Sequence, residues 1–95
     1  MPLNQLEQTV GFHITGRVQR VGFRWWTCRT AKQLGLSGTV RNLADGSVEV
    51  RVRGSTAVIR LLRKHLQEGP PGAVVASIQT VLLDDSIPEG FHVLP

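Results

Sequence analysis

Gly16-Arg17-Val18-Gln19-Arg20-Val21-Gly22-Phe23-Arg24 is the stretch on which the fold turns. Before it, Phe12, Ile14 and Val18 alternate with polar or small neighbours, the period of a strand over about 11 to 18. After it, Phe23, Trp26, Thr30 or Ala31, and Leu34 recur every third or fourth position, which predicts one face of a helix over about 22 to 34. The stretch therefore joins a strand end to a helix start. Such a junction points several main-chain N–H groups one way, and the first N–H groups of a helix lack partners inside it. The positive end of the helix dipole adds to them. Arg24 falls in the first turn, where a cation is slightly disfavoured by that dipole, so its presence calls for an anionic partner. Together these features predict a socket for a phosphate-sized anion.

The remaining elements follow outward. Gly35 stands where a left-handed helix end is wanted, and Leu36 to Asn42 reads as a second strand. Asp45-Gly46 signals a hairpin into a third strand, where Val48, Val50 and Val52 alternate with polar residues. Ser55 or Thr56 caps a second amphipathic helix, whose apolar face is predicted to comprise Val58, Leu61, Leu62, His65 and Leu66. Its far side is basic through Arg60, Arg63 and Lys64. Gly69-Pro70-Pro71-Gly72 stops it, Val74 to Leu83 predicts a fourth strand, and Phe91 to Leu94 a short fifth. The order βαββαβ plus a terminal strand predicts an α+β split β-α-β sandwich: an antiparallel sheet with two helices on one face. Residues 1–10 are expected to be a loose N-terminal tail and 11–95 a single domain.

Composition narrows the function classes. Ninety-five residues allow one core, and a hydrophobic fraction of 41% argues against disorder. No apolar run approaches the ~20 residues of a membrane span. Met1 to Thr9 lacks a basic start followed by an apolar stretch, so no secretory signal is expected. The single cysteine, Cys28, offers no disulfide partner within the chain and fits a cytoplasmic location. All eleven Lys and Arg lie between Arg17 and Lys64, whereas Glu68, Asp84, Asp85 and Glu89 follow with no base among them. A basic body suits a small anionic ligand or nonspecific nucleic-acid contact.

On these residues the chain resembles the acylphosphatases. That family's signature, Gly-x-Val-Gln-Gly-Val-Gly-Phe-Arg, is matched by residues 16–24 at every fixed position but Arg20. A second family element appears as Gly35-Leu36-Ser37-Gly38-Thr39-Val40-Arg41-Asn42 with Asp45-Gly46 behind it, and Gly69-Pro70-Pro71-Gly72-Ala73 is also similar. The resemblance spans about residues 11 to 94. It implies a ferredoxin-like fold and hydrolysis of the carboxyl–phosphate bond of small acyl phosphates, without metal or organic cofactor. It assigns the phosphoryl group to Arg24 and the attacking water to Asn42. Gln19, Arg20, Val21, Gly22 and Phe23 would complete the phosphate cradle. Inorganic phosphate would be product and inhibitor, and the protein is expected to be a monomer with neither membrane nor specific nucleic acid as partner.

Arg20 stands where the family has glycine. With Gly22 free to make the tight part of the turn, Arg20 is expected at negative φ, adding charge at the rim. A positive φ would cost it roughly 1–2 kcal/mol. Trp26 is expected in the core beside Phe23, Trp25 half-exposed without a role, and Cys28 structural. His13, His65 and His92 lack metal-ligand spacing. The rival function is a ferredoxin-like nucleic-acid-binding module, since RNA-recognition domains share this element order. Such modules display aromatics on exposed central strands, and the strands here carry only Phe12 and Phe91.

Overall fold

The computed structural model describes residues 6–95. In chain order the elements are β1 (Glu7–Arg17), α1 (Phe23–Gln33), β2 (Ser37–Asn42), β3 (Val48–Ser55), α2 (Thr56–Glu68), β4 (Val74–Leu82) and β5 (Phe91–Val93). One sheet holds all five strands in the order β4-β1-β3-β2-β5. The first four pair antiparallel. Phe12 and Ile14 of β1, Val40 of β2 and the alternate valines of β3 meet Phe23 and Ala31 of α1 and Leu62 and Leu66 of α2 in one core. Both helices therefore cover the same face, as the element order requires. No helix among the described residues is long and apolar enough to cross a membrane.

Three expectations are corrected. First, β5 runs parallel to β2, with Gly38 opposite Phe91 and Val40 opposite Val93, so the sheet is mixed and not wholly antiparallel. No hairpin leads into β5 to force an antiparallel pairing. Because β4 and β5 occupy opposite edges, the intervening chain must cross the sheet. It does so over the helix-free face, to which the residues alternating with the core valines of β3 point. There Arg51 pairs with Asp85, while Arg53 donates to the Ile87 carbonyl at 2.9 Å and to Glu89 at 3.0 Å.

Second, the first strand begins at Glu7 and not near residue 11. Glu7 to Val10 lie opposite Ser55 to Val52, and Val10 is buried. A long β3 gives these residues the main-chain partners that a loose tail would lack. Residues 1–5 of the expected tail lie outside the described residues. Third, α2 buries Ile59, Leu62 and Leu66 and leaves Leu61 and His65 exposed. Turning Leu61 inward would drag His65 with it and desolvate the imidazole; the stripe through Ile59 is wholly apolar.

The join between β1 and its neighbour β4 depends on Gly16. The register slips by a bulge between Thr15 and Gly16, and Gly16 sits at φ 122°. A Cβ there would overlap the Val74 carbonyl oxygen and lie 2.6 Å from the Ala76 nitrogen. Gly16→Ala is therefore expected to cost about 2 kcal/mol or more. For a domain of this length the melting temperature should fall on the order of 10 °C, measured by thermal melts followed by circular dichroism. A wild-type melt would contradict the bulge.

Candidate active site

Where β1 ends, the chain passes through two left-handed residues before α1 begins. Arg20 has φ 64° and Gly22, the residue preceding the helix, has φ 77°. No side chain caps α1, and its first turn contains no acidic residue. The leading N–H groups of the helix are thus left for an external acceptor, and the dipole favours an anionic one.

A cavity of about 90 Å³ opens at this point, lined by Val18, Arg20, Gly22, Phe23, Arg24, Trp25 and Asn42. Of the residues singled out from sequence, Arg20, Gly22, Phe23, Arg24 and Asn42 converge on it. Gln19 and Val21 do not line it; Val21 packs against the core. A larger apolar groove of about 220 Å³ lies on the helix-free face, along Gly11, His13, Glu49, Arg51, Val81 and Leu83. Its charged groups are engaged elsewhere, Glu49 by Arg41 and Arg51 by Asp85. The smaller cavity has the convergent polar groups, which makes it the candidate site.

Each functional side chain has an identifiable support. Arg24 donates through Nη1 to the main-chain oxygen of Leu94 at 2.9 Å. That oxygen is set by β5 beside β2, where the Leu94 N–H bonds the Val40 carbonyl at 2.8 Å. Sequence reasoning missed this support because a carbonyl carries no side-chain signal. Asn42 closes β2 opposite Val48, and its Oδ1 is buried without a partner. A buried amide oxygen left unsatisfied costs on the order of 1–3 kcal/mol, so it calls for a donor.

Gln19 acts on the hairpin that carries Asn42. Its Nε2 donates to the carbonyls of Leu43 at 2.8 Å and Ser47 at 2.9 Å. The side chain thereby ties the end of β1 to the turn following Asn42, the two parts of the site. Within that turn the Ser47 hydroxyl, and next its main-chain N–H, bond Asp45 and hold its carboxyl below the usual carboxylate value. The stabilisation this brings is present above the ordinary carboxylate range and fades as pH falls through the lowered value.

The positive φ of Arg20 overturns the expected conformation. The turn needs left-handed residues on both sides of Val21, and Gly22 supplies only one of them. Arg20 nevertheless lines the cavity beside Arg24. Arg20→Gly should release ~1–2 kcal/mol of backbone strain and give back ~0.4–1 kcal/mol in unfolded-chain entropy. Urea denaturation should therefore find the variant as stable as wild type or slightly more so. A phosphate-sized anion should bind the cavity of the variant roughly two- to fivefold more weakly, the worth of one exposed charge.

Fold and site together define a ferredoxin-like α+β sandwich with a cationic cleft at the start of its first helix. The acylphosphatase family profile matches residues 10–93. An acylphosphatase of Alkalilimnicola ehrlichii is 48% identical over 83 residues, spanning 87% of this chain and 93% of that protein. The structure of an acylphosphatase from Coxiella burnetii superposes with a TM-score of 0.88 at 33% identity over 93% of both chains. That of acylphosphatase from Bacillus subtilis gives 0.87 at 25% identity, over 95% of this chain and 100% of the other. The chain belongs to the acylphosphatase family.

Proposed function

We infer that the protein hydrolyses the carboxyl–phosphate bond of small acyl phosphates to a carboxylate and inorganic phosphate. Arg24 binds the phosphoryl group and Asn42 orients the attacking water. The observation that supports these roles is the convergence of Asn42 and Arg24 on one cavity, with the Asn42 Oδ1 left without a hydrogen-bond partner. An amide oxygen in want of a donor, beside a guanidinium in want of an anion, is what a water and a phosphoryl group would each satisfy.

The chemistry needs little more. A departing carboxylate has a conjugate acid of pKa ~4 and leaves without being protonated, so no general acid is required. Phosphoryl transfer then becomes a matter of positioning and of stabilising charge on the phosphoryl oxygens. The planar guanidinium of Arg24 spends one donor on Leu94 and keeps the rest for paired bonds to those oxygens. The leading N–H groups of α1 and the charge of Arg20 complete the cradle. Asn42 accepts a hydrogen bond from the water through Oδ1; being no base, it leaves the proton to the substrate's own phosphate or to solvent.

Benzoyl phosphate hydrolysis in the presence of a chelator tests this function. Turnover is expected, with competitive inhibition by inorganic phosphate. Absence of turnover would overturn the activity, and activity only on addition of a divalent metal would overturn the mechanism.

A further inference from the structure

The indole of Trp25 has no part in gripping the phosphoryl group or the water, yet the residue belongs to the site. It is 69% exposed and lines the same cavity as Arg20, Arg24 and Asn42. Its neighbour Trp26 shows what a structural tryptophan does here. Trp26 packs against the core and meets Phe23 edge-on, with ring centroids 5.5 Å apart. A solitary exposed apolar side chain is ordinary on a protein surface. One that walls a polar cavity, on the first turn of the helix that forms it, is placed to meet a ligand.

The size of the cavity says which part of the ligand. About 90 Å³ is well short of the roughly 300–1,000 Å³ that encloses an organic ligand. It exceeds several times the ~10–15 Å³ that one water requires. The cavity thus takes a PO₃ group and its water, and the acyl group is left at the mouth. The exposed indole is the apolar surface there.

We propose that Trp25 is the platform on which the acyl group rests, and that it selects aromatic and bulky apolar acyl phosphates over acetyl-sized ones. This rests on the acyl-phosphate reading of the site and names its substrate class. An indole face holds an aryl group by offset or edge-on contact and leaves a methyl group mostly in water. The platform touches the acyl group alike in the ground state and the transition state, so it acts on KM and leaves kcat aside.

The test compares benzoyl phosphate with acetyl phosphate in wild type, Trp25→Ala and Trp25→Phe. Wild type should favour benzoyl phosphate through KM. In Trp25→Ala the ratio of the two KM values should shift three- to tenfold against benzoyl phosphate, and Trp25→Phe should restore most of it. An unchanged ratio, or an equal loss on both substrates, would overturn the platform. Calorimetric binding of phenylphosphonate and methylphosphonate gives a readout that needs no turnover. Tighter binding of the phenyl compound in wild type, lost in Trp25→Ala, supports the platform even if neither acyl phosphate is hydrolysed. Hydrolysis together with an indifferent Trp25 would sink the platform and leave the activity standing.

Discussion

Replacing Arg24 by glutamine is expected to lower kcat/KM for benzoyl phosphate by more than about 10³-fold. Removing a single oxyanion donor from a preorganised site typically costs about 10²–10³. Arg24 does more: it carries full charge and a fork of donors, and one donor is already used to fix the fork in place against Leu94. A loss above 10³ corresponds to roughly 4 kcal/mol of transition-state stabilisation. Inhibition by inorganic phosphate should weaken in parallel, since phosphate occupies the same oxygens' positions. Arg24→Lys separates charge from geometry: the ammonium keeps the charge without the planar pair of bonds, so most of the loss should persist. Circular dichroism and urea denaturation should find both variants folded, because the Arg24 side chain is only partly buried. A glutamine variant with wild-type kcat/KM would remove Arg24 from the mechanism.

Much of this site was legible because its parts are local. Residues 16–24 make the strand end, the turn and the helix start within one short run, and turn chemistry is encoded where it occurs. The Asp45-Gly46 hairpin is equally local, and it puts Asn42 at the end of β2. What stayed hidden is non-local or made of backbone. The Leu94 carbonyl reaches Arg24 only through the parallel pairing of β5, which no turn announces. The contacts from Gln19 to two carbonyls of the 43–47 turn likewise depend on tertiary placement. The left-handed Arg20 misled because glycine is the usual occupant of such a conformation; here the turn imposes it on an arginine.

One non-local feature did leave a trace. The acidic residues after Lys64 follow a basic body with no base among them, and two of them, Asp85 and Glu89, meet Arg51 and Arg53 across the helix-free face, where the Ile87 carbonyl also accepts from Arg53. Exposed ion pairs of this kind contribute only about 0–1 kcal/mol each; their consequence is for what the face can bind. An RNA-recognition sheet needs free aromatics and free cations there. Phe12 and Phe91 are buried at 1% and 3% exposure, and Arg41, Arg51 and Arg53 are each paired with a carboxylate. This face therefore does not favour the nucleic-acid alternative.

Asn42→Ala is expected to reduce kcat by about 10²–10³-fold while inhibition by inorganic phosphate changes less than about threefold. The split follows from the division of labour in the cavity. In the proposed roles Arg24 and the N–H groups of the helix start hold the phosphoryl oxygens, so ground-state binding survives without the amide. The water loses the acceptor that aims it, and the precision of approach between reacting atoms is worth several orders of magnitude in rate. Alanine also removes the unsatisfied Oδ1, so the variant should be as stable as wild type or up to about 1 kcal/mol more stable. A site that gives up stability to hold a reactive geometry behaves in this way. Steady-state kinetics with phosphate inhibition, paired with urea denaturation, reads both effects. If kcat and phosphate affinity instead fell together, Asn42 would belong to the phosphate cradle, and the water would need another guide.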